Sequence, residues 1–380
     1  MAKKKIGILT FHRSINYGAF LQAYCLSRYV KQITGDLAKV EIIDYTSKIS
    51  YENYKSVLFQ GKHRRDQWRQ RIGFERACRL LPLSKEKICS DNMEQIETFI
   101  KKQDYDVIIV GSDEVWKVDG MRGFPTAYWL NFDIGNATRI SYAISSRTPI
   151  DRIEQKKREY IKCAVDQFCY LGVRDQASYD MLVQIGAKVP YLNCDPTFLI
   201  PFIYDKEAFR DKLFKNYNIE KGQKLIGIMM PDEKIVRKIK DKLGHGYKIV
   251  SLYDFQEEAD VNMISINPFE WIRVIGCLSF LVTDRFHGTV FAMKMGTPFL
   301  SIETYDKPEN SKLYYLLDSN DLSEHYMVYH NGNKIYNEIL EKIALIMEAF
   351  DGDKISRALQ KEKSKSKSFK KQLLNILKEE

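Results

Sequence analysis

Residues 278–300 read LSFLVTDRFHGTVFAMKMGTPFL, and this stretch contains the change from a strand to a helix. Residues 279–282 are mostly apolar and end in a β-branched residue, a pattern that predicts a short buried strand. Helical spacing follows over 290–295, and Gly296 with Pro298 is typical of a helix end. The polar residues between them therefore form a strand-to-helix loop, and in an open α/β sheet ligands bind at that edge.

The side chains of this loop suit anion binding and proton transfer. Arg285 adds a fixed positive charge with bidentate geometry, and His287 can carry a proton either way near neutral pH. We expect the amides of Gly288 and Thr289 to open the helix and to point at an anion. A purely structural hydrogen-bonding role for His287 stays open, because a short motif is a hypothesis until its context is known.

The composition is that of a globular protein with more than one core. A chain of 380 residues predicts about two domains. No run approaches the ~20 apolar residues of a transmembrane helix, and the basic start of the chain reads as a first strand and not as a signal peptide. We therefore expect a cytoplasmic protein. Its seven cysteines are scattered, with no C-x-x-C pair, which disfavours a zinc site or a disulfide framework.

The net charge of +9 is concentrated in two segments. Residues 353–380 hold nine Lys or Arg and four Asp or Glu, and residues 62–79 form a second basic cluster that includes Trp68 and Phe74. No nucleic-acid motif accompanies them, so we do not expect a nucleic-acid partner. Peripheral contact with the anionic inner face of a membrane, or a polyanionic substrate, fits better. The plain alternative is a solvated helix face.

Apolar runs without alternation, separated by helical stretches, predict parallel sheets covered on both faces. We expect an N-terminal Rossmann-like domain over 1–205, with a basic insertion at about 48–90, and a second Rossmann-like domain over 206–350. A basic helical tail follows over 351–380. Two such domains facing a cleft would suit an enzyme that joins two substrates.

Polar residues follow two predicted strands of the first half. Asp113, after the strand 107–110, could be a catalytic or sugar-binding carboxylate, or it could cap the next helix; Ser112 and Glu114 share this ambiguity. Arg174 could be a second cation for an anionic substrate, or it could belong to a structural ion pair.

The first predicted strand-to-helix loop contains Asn16 and Gly18. Asn16 could bond sugar hydroxyls, and Gly18 would allow close approach of the backbone. The loop lacks a G-x-G-x-x-G pattern, which disfavours a dinucleotide site. No His, Asp and Glu residues show metal-ligand spacing, so we expect a reaction without metal or cofactor.

Taken in order, six segments spread over about 5–305 resemble the polysaccharide pyruvyl transferase family. These segments are residues 14–24, 109–116 (IVGSDEVW), 142–146, 171–175 (LGVRD), 195–199 (DPTFL) and 283–291 (TDRFHGTVF). The sequence departs from the family at Arg147, where glycine is more usual.

The resemblance implies a GT-B-like fold and transfer of the enolpyruvyl unit of phosphoenolpyruvate to hydroxyls of a bacterial cell-surface polysaccharide, such as an exopolysaccharide, or its lipid-linked precursor. The donor's carboxylate and phosphate require cations and helix N-termini, for which Arg285, Gly288, Thr289 and Arg174 are the candidates. His287 and Asp113 are the candidate catalytic residues. By the same likeness of fold, we expect the tail to pack back across the first domain.

Two other functions remain open on this fold. A glycosyltransferase with a nucleotide-sugar donor would need a ribose-holding glutamate, for which Glu303 is available, but the glycine-rich diphosphate loop is missing. A non-catalytic glycan-binding protein would not need His287 or Arg285, and both are present.

Overall fold

The computed structural model describes residues 3–57, 63–303, 311–329 and 334–378, without the side chains of Tyr54, Ser56, Val57 and Lys334. The chain divides into two compact units. The first unit combines Met1–Arg64, Glu75–Ile200 and Glu362–Glu380, and the second combines Arg65–Phe74 with Pro201–Lys361.

These bounds differ from the domains expected from the sequence. The division falls at Ile200 instead of 205, and the expected tail is split, since its residues up to Lys361 group with the second unit. Part of the expected basic insertion, Arg65–Phe74, also groups with the second unit. Residues 58–62 of that insertion, including Lys62 of the basic cluster, lie outside the described residues.

The first unit is built on a parallel five-stranded sheet in the order β3-β2-β1-β4-β5, beside a parallel pair β6-β7. Its strands are β1 Lys4–Leu9, β2 Ala38–Thr46, β3 Leu83–Cys89, β4 Val107–Val110, β5 Thr138–Ser141, β6 Gly172–Val173 and β7 Tyr191–Leu192. The helices of this part of the chain are α1 Tyr17–Thr34, α2 Lys48–Val57, α3 Arg64–Cys78, α4 Met93–Lys102, α5 Gln155–Val165 and α6 Gln176–Gln184. The central strands β1 and β4 are buried over most of their length, as expected for a sheet covered on both faces.

The second unit contains a six-stranded sheet in the order β10-β9-β8-β11-β12-β13, again with parallel pairing between neighbours. Its strands are β8 Lys224–Met229, β9 Tyr247–Ser251, β10 Val261–Asn262, β11 Phe280–Thr283, β12 Phe299–Glu303 and β13 Tyr326–Val328. The helices that follow α6 along the chain are α7 Lys206–Asn216, α8 Glu233–Leu243, α9 Pro268–Cys277, α10 Phe286–Met295, α11 Lys312–Asp318, α12 Lys334–Glu348, α13 Gly352–Ser364 and α14 Lys367–Ile376. The predicted α/β class with two Rossmann-like units is therefore confirmed.

Residues 362–378 pack into the first unit. The ring of Phe369 on α14 is fully buried, with its centroid 4.5 Å from that of Tyr142 and 5.9 Å from that of Tyr170. The Asn193 side chain donates to the backbone carbonyl of Lys365 at 3.1 Å. An aromatic residue of the basic segment thus forms part of the core, while its lysines remain largely at the surface.

Across residues 3–57, 63–303, 311–329 and 334–378, none of the helices is both long enough and apolar enough to span a bilayer.

Candidate active-site residues

The loop between β11 and α10 is compact because its two ends pack against each other. The Arg285 amide donates to Thr283 Oγ1 at 3.0 Å, and a β-carbon added at Gly288 would lie 2.5 Å from the same oxygen. Only glycine at 288 lets the first turn of α10 approach the end of β11 this closely. Gly288 therefore acts through packing, and its amide lies in the first turn of the helix.

The helix begins four residues earlier than the sequence predicts, and this corrects the expected role of Thr289. With Arg285 as N-cap, the Thr289 amide donates to the Arg285 carbonyl at 3.1 Å. The Thr289 hydroxyl is buried, 2.6 Å from Ser301 Oγ. Thr289 therefore cannot offer its amide to an anion. The helix rule assigns the N-terminal amides to Phe286, His287 and Gly288.

Arg285 is partly exposed and lies between two carboxylates. Its Nε is 2.8 Å from Asp284 Oδ1, its Nη2 is 3.4 Å from Asp254 Oδ2, and its guanidinium lies 4.1 Å from the centre of the Tyr253 ring. Burial raises the pKa of Asp284 to about 6, against the attraction of Arg285 and with the help of the Asp254 charge. An anion bound by Arg285 would therefore compete with carboxylates already beside it.

His287 lies on the first turn of α10, half-buried, with its ring edge-on to that of Phe286 at 5.3 Å. The structure thus places an imidazole, three helix-terminal amides and the Arg285 guanidinium on one short loop of the second unit. That arrangement has the groups needed to hold an anion and to move a proton.

In the first unit, the segment after β4 has an unusual backbone. Gly111 has φ +118°, and a β-carbon there would lie 2.2 Å from the carbonyl oxygen of Tyr142. Asp113 has φ +78°, and its carbonyl accepts the Ser145 amide at 2.9 Å. No α-helix follows Asp113 before α5, so the helix-capping alternative fails. The backbone of Asp113 is thus in a conformation that costs an L-residue energy, and its carboxylate is partly exposed.

Arg174 does not occupy an accessible site. Its side chain is 2% exposed, with Nη1 2.7 Å from Asp195 Oδ2 and Nη2 3.6 Å from Asp113 Oδ1. Burial opposes the charged form, but the carboxylates outweigh it and raise the pKa of Arg174 above its already high ordinary value. The structure thus contains the structural ion pair, with Asp195 as its nearest carboxylate, and it leaves Arg174 little exposed surface for an anionic substrate.

Ser112 is fully buried and joins two loops. Its hydroxyl donates to Gln22 Oε1 at 2.7 Å, and the Gln22 amide nitrogen donates to the Phe11 carbonyl at 2.9 Å. Ser112 is therefore a structural residue, which corrects its assignment to substrate binding.

Asn16 and Gly18 begin α1. Asn16 is the N-cap, and its Oδ1 accepts the Ala19 amide at 3.1 Å. Gly18 is buried in the first helical turn instead of lying in the loop. Helix capping thus accounts for Asn16, and the position of Gly18 does not expose its backbone to a ligand.

Glu114 pairs with the residue at which the chain departs from its family. The Arg147 Nη1 lies 3.2 Å from Glu114 Oε1, and both side chains are about one-fifth exposed. Arg122 donates to the Glu114 carbonyl at 3.1 Å.

A further cluster, built around a buried histidine and a buried aspartate beside the first sheet, was not predicted from the sequence. His12 Nε2 lies 3.0 Å from Asp44 Oδ1, and Arg13 Nε donates to the same oxygen at 2.6 Å. These partners hold the pKa of Asp44 well below its usual range, although burial opposes them. The sequence signal that could have indicated this cluster was Asp44, an aspartate inside the largely apolar run 40–45. In the second unit, Asp254, three residues after the end of β9, was a comparable signal.

Among the described residues, no three or more His, Cys, Asp or Glu side chains lie together in a way that could hold a metal ion.

Several solved structures share the fold over nearly the whole chain. A glycosyltransferase from Rickettsia africae aligns with TM-score 0.55 and 12% identity, covering 100% of this chain and 98% of its own. Anabaena Alr3699/HepE in complex with UDP-glucose aligns with TM-score 0.55 and 13% identity, covering 98% and 99%. The UDP-GlcNAc 2-epimerase of Neisseria meningitidis aligns with TM-score 0.54 and 12% identity, covering 98% and 100%. At such identities the likeness shows the fold alone, and it confirms the GT-B-like class.

No curated protein matches the sequence significantly. The family model of polysaccharide pyruvyl transferases matches residues 16–306, which is more than half of the chain and includes the segments of Asp113 and His287. The chain therefore belongs to the polysaccharide pyruvyl transferase family.

Proposed function

We propose that the protein transfers the enolpyruvyl unit of phosphoenolpyruvate to sugar hydroxyls of a bacterial cell-surface polysaccharide, or of its lipid-linked precursor, and releases phosphate. The observation that carries this proposal is the family match over 16–306. The groups on the β11–α10 loop support it, because they suit a substrate with a carboxylate, a phosphate and a carbon to be protonated.

The reaction makes defined chemical demands. One hydroxyl oxygen bonds to C2 of phosphoenolpyruvate while the methylene carbon C3 gains a proton. For a cyclic ketal, a second hydroxyl oxygen then bonds to C2 as the C2–O bond to phosphate breaks, and the two hydroxyl protons are passed on. The reaction therefore needs an acid, a base and a site for anions.

In the second unit, His287 would supply a proton to C3, and its half-buried place on the first turn of α10 suits that role. Arg285 and the amides of residues 286–288 would bind the donor's anionic groups. Phosphoenolpyruvate would then displace Asp254 from the guanidinium, a contact of 3.4 Å that is weak by hydrogen-bond standards.

In the first unit, Asp113 would accept a proton from a sugar hydroxyl or hold that hydroxyl by a hydrogen bond. The buried Arg174 lies 3.6 Å from this carboxylate and places a positive charge beside it. We propose a cytoplasmic location, a lipid-linked or polymeric acceptor, and no cofactor. The basic surface of residues 63–79 would be the contact with an anionic membrane.

The test measures phosphate release from phosphoenolpyruvate with a panel of lipid-linked and soluble glycans. His287→Ala should lower the rate by roughly 10²–10⁴-fold, the usual contribution of a positioned acid or base. Binding of phosphoenolpyruvate, measured by calorimetry, should change much less. His245→Ala, at an exposed position of the same unit, is the matched control and should retain full activity.

Two results would contradict the proposal. Absence of phosphoenolpyruvate binding by the wild-type protein would point to another donor. Normal turnover by His287→Ala would remove the histidine from the reaction.

The alternative of a nucleotide-sugar donor gains no support from Glu303. Its carboxylate is buried and accepts hydrogen bonds from the Ser311 hydroxyl and, at 3.0 Å, from the Tyr326 hydroxyl. A glutamate engaged in this way would have to break buried bonds to hold a ribose.

A further inference from the structure

Arg147 has a backbone conformation that arginine rarely adopts. Its φ is +54°, in the left-handed region, where the β-carbon of an L-residue meets the following carbonyl group. Glycine adopts this region without that clash. The backbone conformation at position 147 therefore favours glycine and does not explain why the residue is an arginine.

The neighbours on both sides of Arg147 hold this conformation. The Ser146 amide donates to Ser178 Oγ at 2.8 Å. On the other side, Thr148 Oγ1 donates to Asp119 at 2.9 Å and accepts the Val118 amide at 3.1 Å. These bonds hold the backbone at Arg147 in place, and the Glu114 contact then orients the guanidinium, which is how a binding side chain is pre-organised.

That direction leads to the segment that contains Asp113. The Arg147 Nη1 lies 3.2 Å from Glu114 Oε1, and the Asp113 carbonyl accepts the amide of Ser145, two residues before Arg147. The Arg147 side chain is 19% exposed, whereas that of Arg174 is 2% exposed. Of these two arginines, Arg147 is the one that a dissolved anion can reach.

We propose that Arg147 is an anion-binding residue of the first unit, taking the place that the sequence assigned to Arg174. Its ligand is a carboxylate or phosphate group, carried by phosphoenolpyruvate or by an acidic sugar of the acceptor; the naming of these two sources rests on the proposed function. A planar guanidinium suits such groups because two of its N–H bonds can point at two oxygens. The anion would share or replace the contact with Glu114.

The experiment compares binding by the full chain and its Arg147→Gly variant. Calorimetry would use two anionic probes, phosphoenolpyruvate and methyl β-D-glucuronide. Methyl β-D-glucoside is the neutral control for the glucuronide. Arg147→Gly should weaken binding of one anionic probe by about tenfold or more, as expected for loss of a charge-assisted contact, and should leave the neutral glucoside unchanged. Arg147→Lys should lose only part of the affinity, because it keeps the charge without the fork.

The glycine variant should fold, because the left-handed backbone suits it; its melting temperature should equal or exceed that of the wild type. Asp104→Gly is the matched control. Asp104 also has a left-handed backbone, φ +52°, but it precedes β4 and so lies near the amino end of that strand, away from the segment that follows its carboxyl end. It should not alter binding of any probe.

The two arms separate the sources of the anion. Weaker binding of phosphoenolpyruvate assigns Arg147 to the donor, and weaker binding of the glucuronide assigns it to an acidic acceptor. Unchanged affinity for both probes in Arg147→Gly, or no binding of either by the wild type, overturns the proposal. If the anions bind as expected but no acceptor yields phosphate, the proposed reaction fails while the anion site stands.

Discussion

Arg174 and Arg285 look alike in the sequence but differ sharply in the structure. Each follows a parallel strand, yet the Arg174 side chain is 2% exposed and that of Arg285 is 38% exposed. Arg174 comes directly after β6, and its amide still bonds to the Ile144 carbonyl at 2.9 Å. Arg285 comes two residues after β11 and caps a helix. A difference of one residue in the distance from the strand end thus separates a buried structural cation from an accessible one.

The largest expected effect on stability is that of Arg174→Ala. It leaves the fully buried carboxylate of Asp195 without the guanidinium 2.7 Å away, and breaking a buried pair in this way costs roughly 3–5 kcal/mol. Urea unfolding would measure the change. A loss below about 1 kcal/mol, the range of an exposed ion pair, would contradict the conclusion that Arg174 is a buried structural cation.

A smaller loss is expected for Gly288→Ala. The new methyl group would overlap Thr283 Oγ1, and overpacking of this kind costs about 1–3 kcal/mol. The double variant Gly288→Ala/Thr283→Ala should recover part of that loss. If the double variant lost as much stability as the two single variants together, the predicted overlap would not limit the packing of this loop.

Arg285→Ala should change stability least among these single variants, by about 1 kcal/mol or less, because its two ion pairs and its contact with Tyr253 are partly exposed. Under the proposed function it should nevertheless weaken phosphoenolpyruvate binding, which Arg174→Ala should do only through unfolding. Calorimetry on both folded variants at low temperature distinguishes the two arginines. Equal loss of binding in both would remove the distinction between them.

The smallest expected effect concerns Asp284 and is seen in how the free energy of unfolding depends on pH. Because burial raises its folded-state pKa to about 6 from an ordinary value near 4, the protonated form is favoured in the folded protein. Its contribution to stability is complete below pH ~4 and is lost as pH rises through ~6. Asp284→Asn imitates the protonated form.

The free energy of unfolding of the wild type, minus that of Asp284→Asn, should therefore fall between pH ~4 and ~6 and then level off. Unfolding curves at intervals of one pH unit would measure it. A flat difference across that range would show that burial does not raise the pKa of this carboxylate against the attraction of Arg285.

Much of the fold could be predicted because buried parallel strands form apolar runs. The predicted strand 107–110 coincides with β4, and the predicted strand 279–282 overlaps β11. β3 was missed inside the expected insertion, because it is an edge strand whose sequence LSKEKIC is charged and mostly exposed. β5 ends at Ser141, because the chain leaves the extended conformation at Ala143, which has φ +50°.

The candidate site was predictable only in part. The pattern of residues 283–289 indicated a strand-to-helix loop with an arginine and a histidine, and the structure has both there. The sequence could not show that Asp195 would bury Arg174, or that Gln22 would engage Ser112, because those partners are distant along the chain. Nor could it show the left-handed backbone of Arg147, which depends on bonds made by its neighbours.

The packing of Phe369 among Tyr29, Tyr142 and Tyr170 has a consequence for biosynthesis. The first unit needs residues 362–378 for its core, yet the whole of 201–361 is synthesised before them. A nascent chain with the first sheet already formed must keep this aromatic surface uncovered while the second unit emerges from the ribosome. Closing so long a loop slows folding, and the exposed rings would favour association with chaperones during that interval.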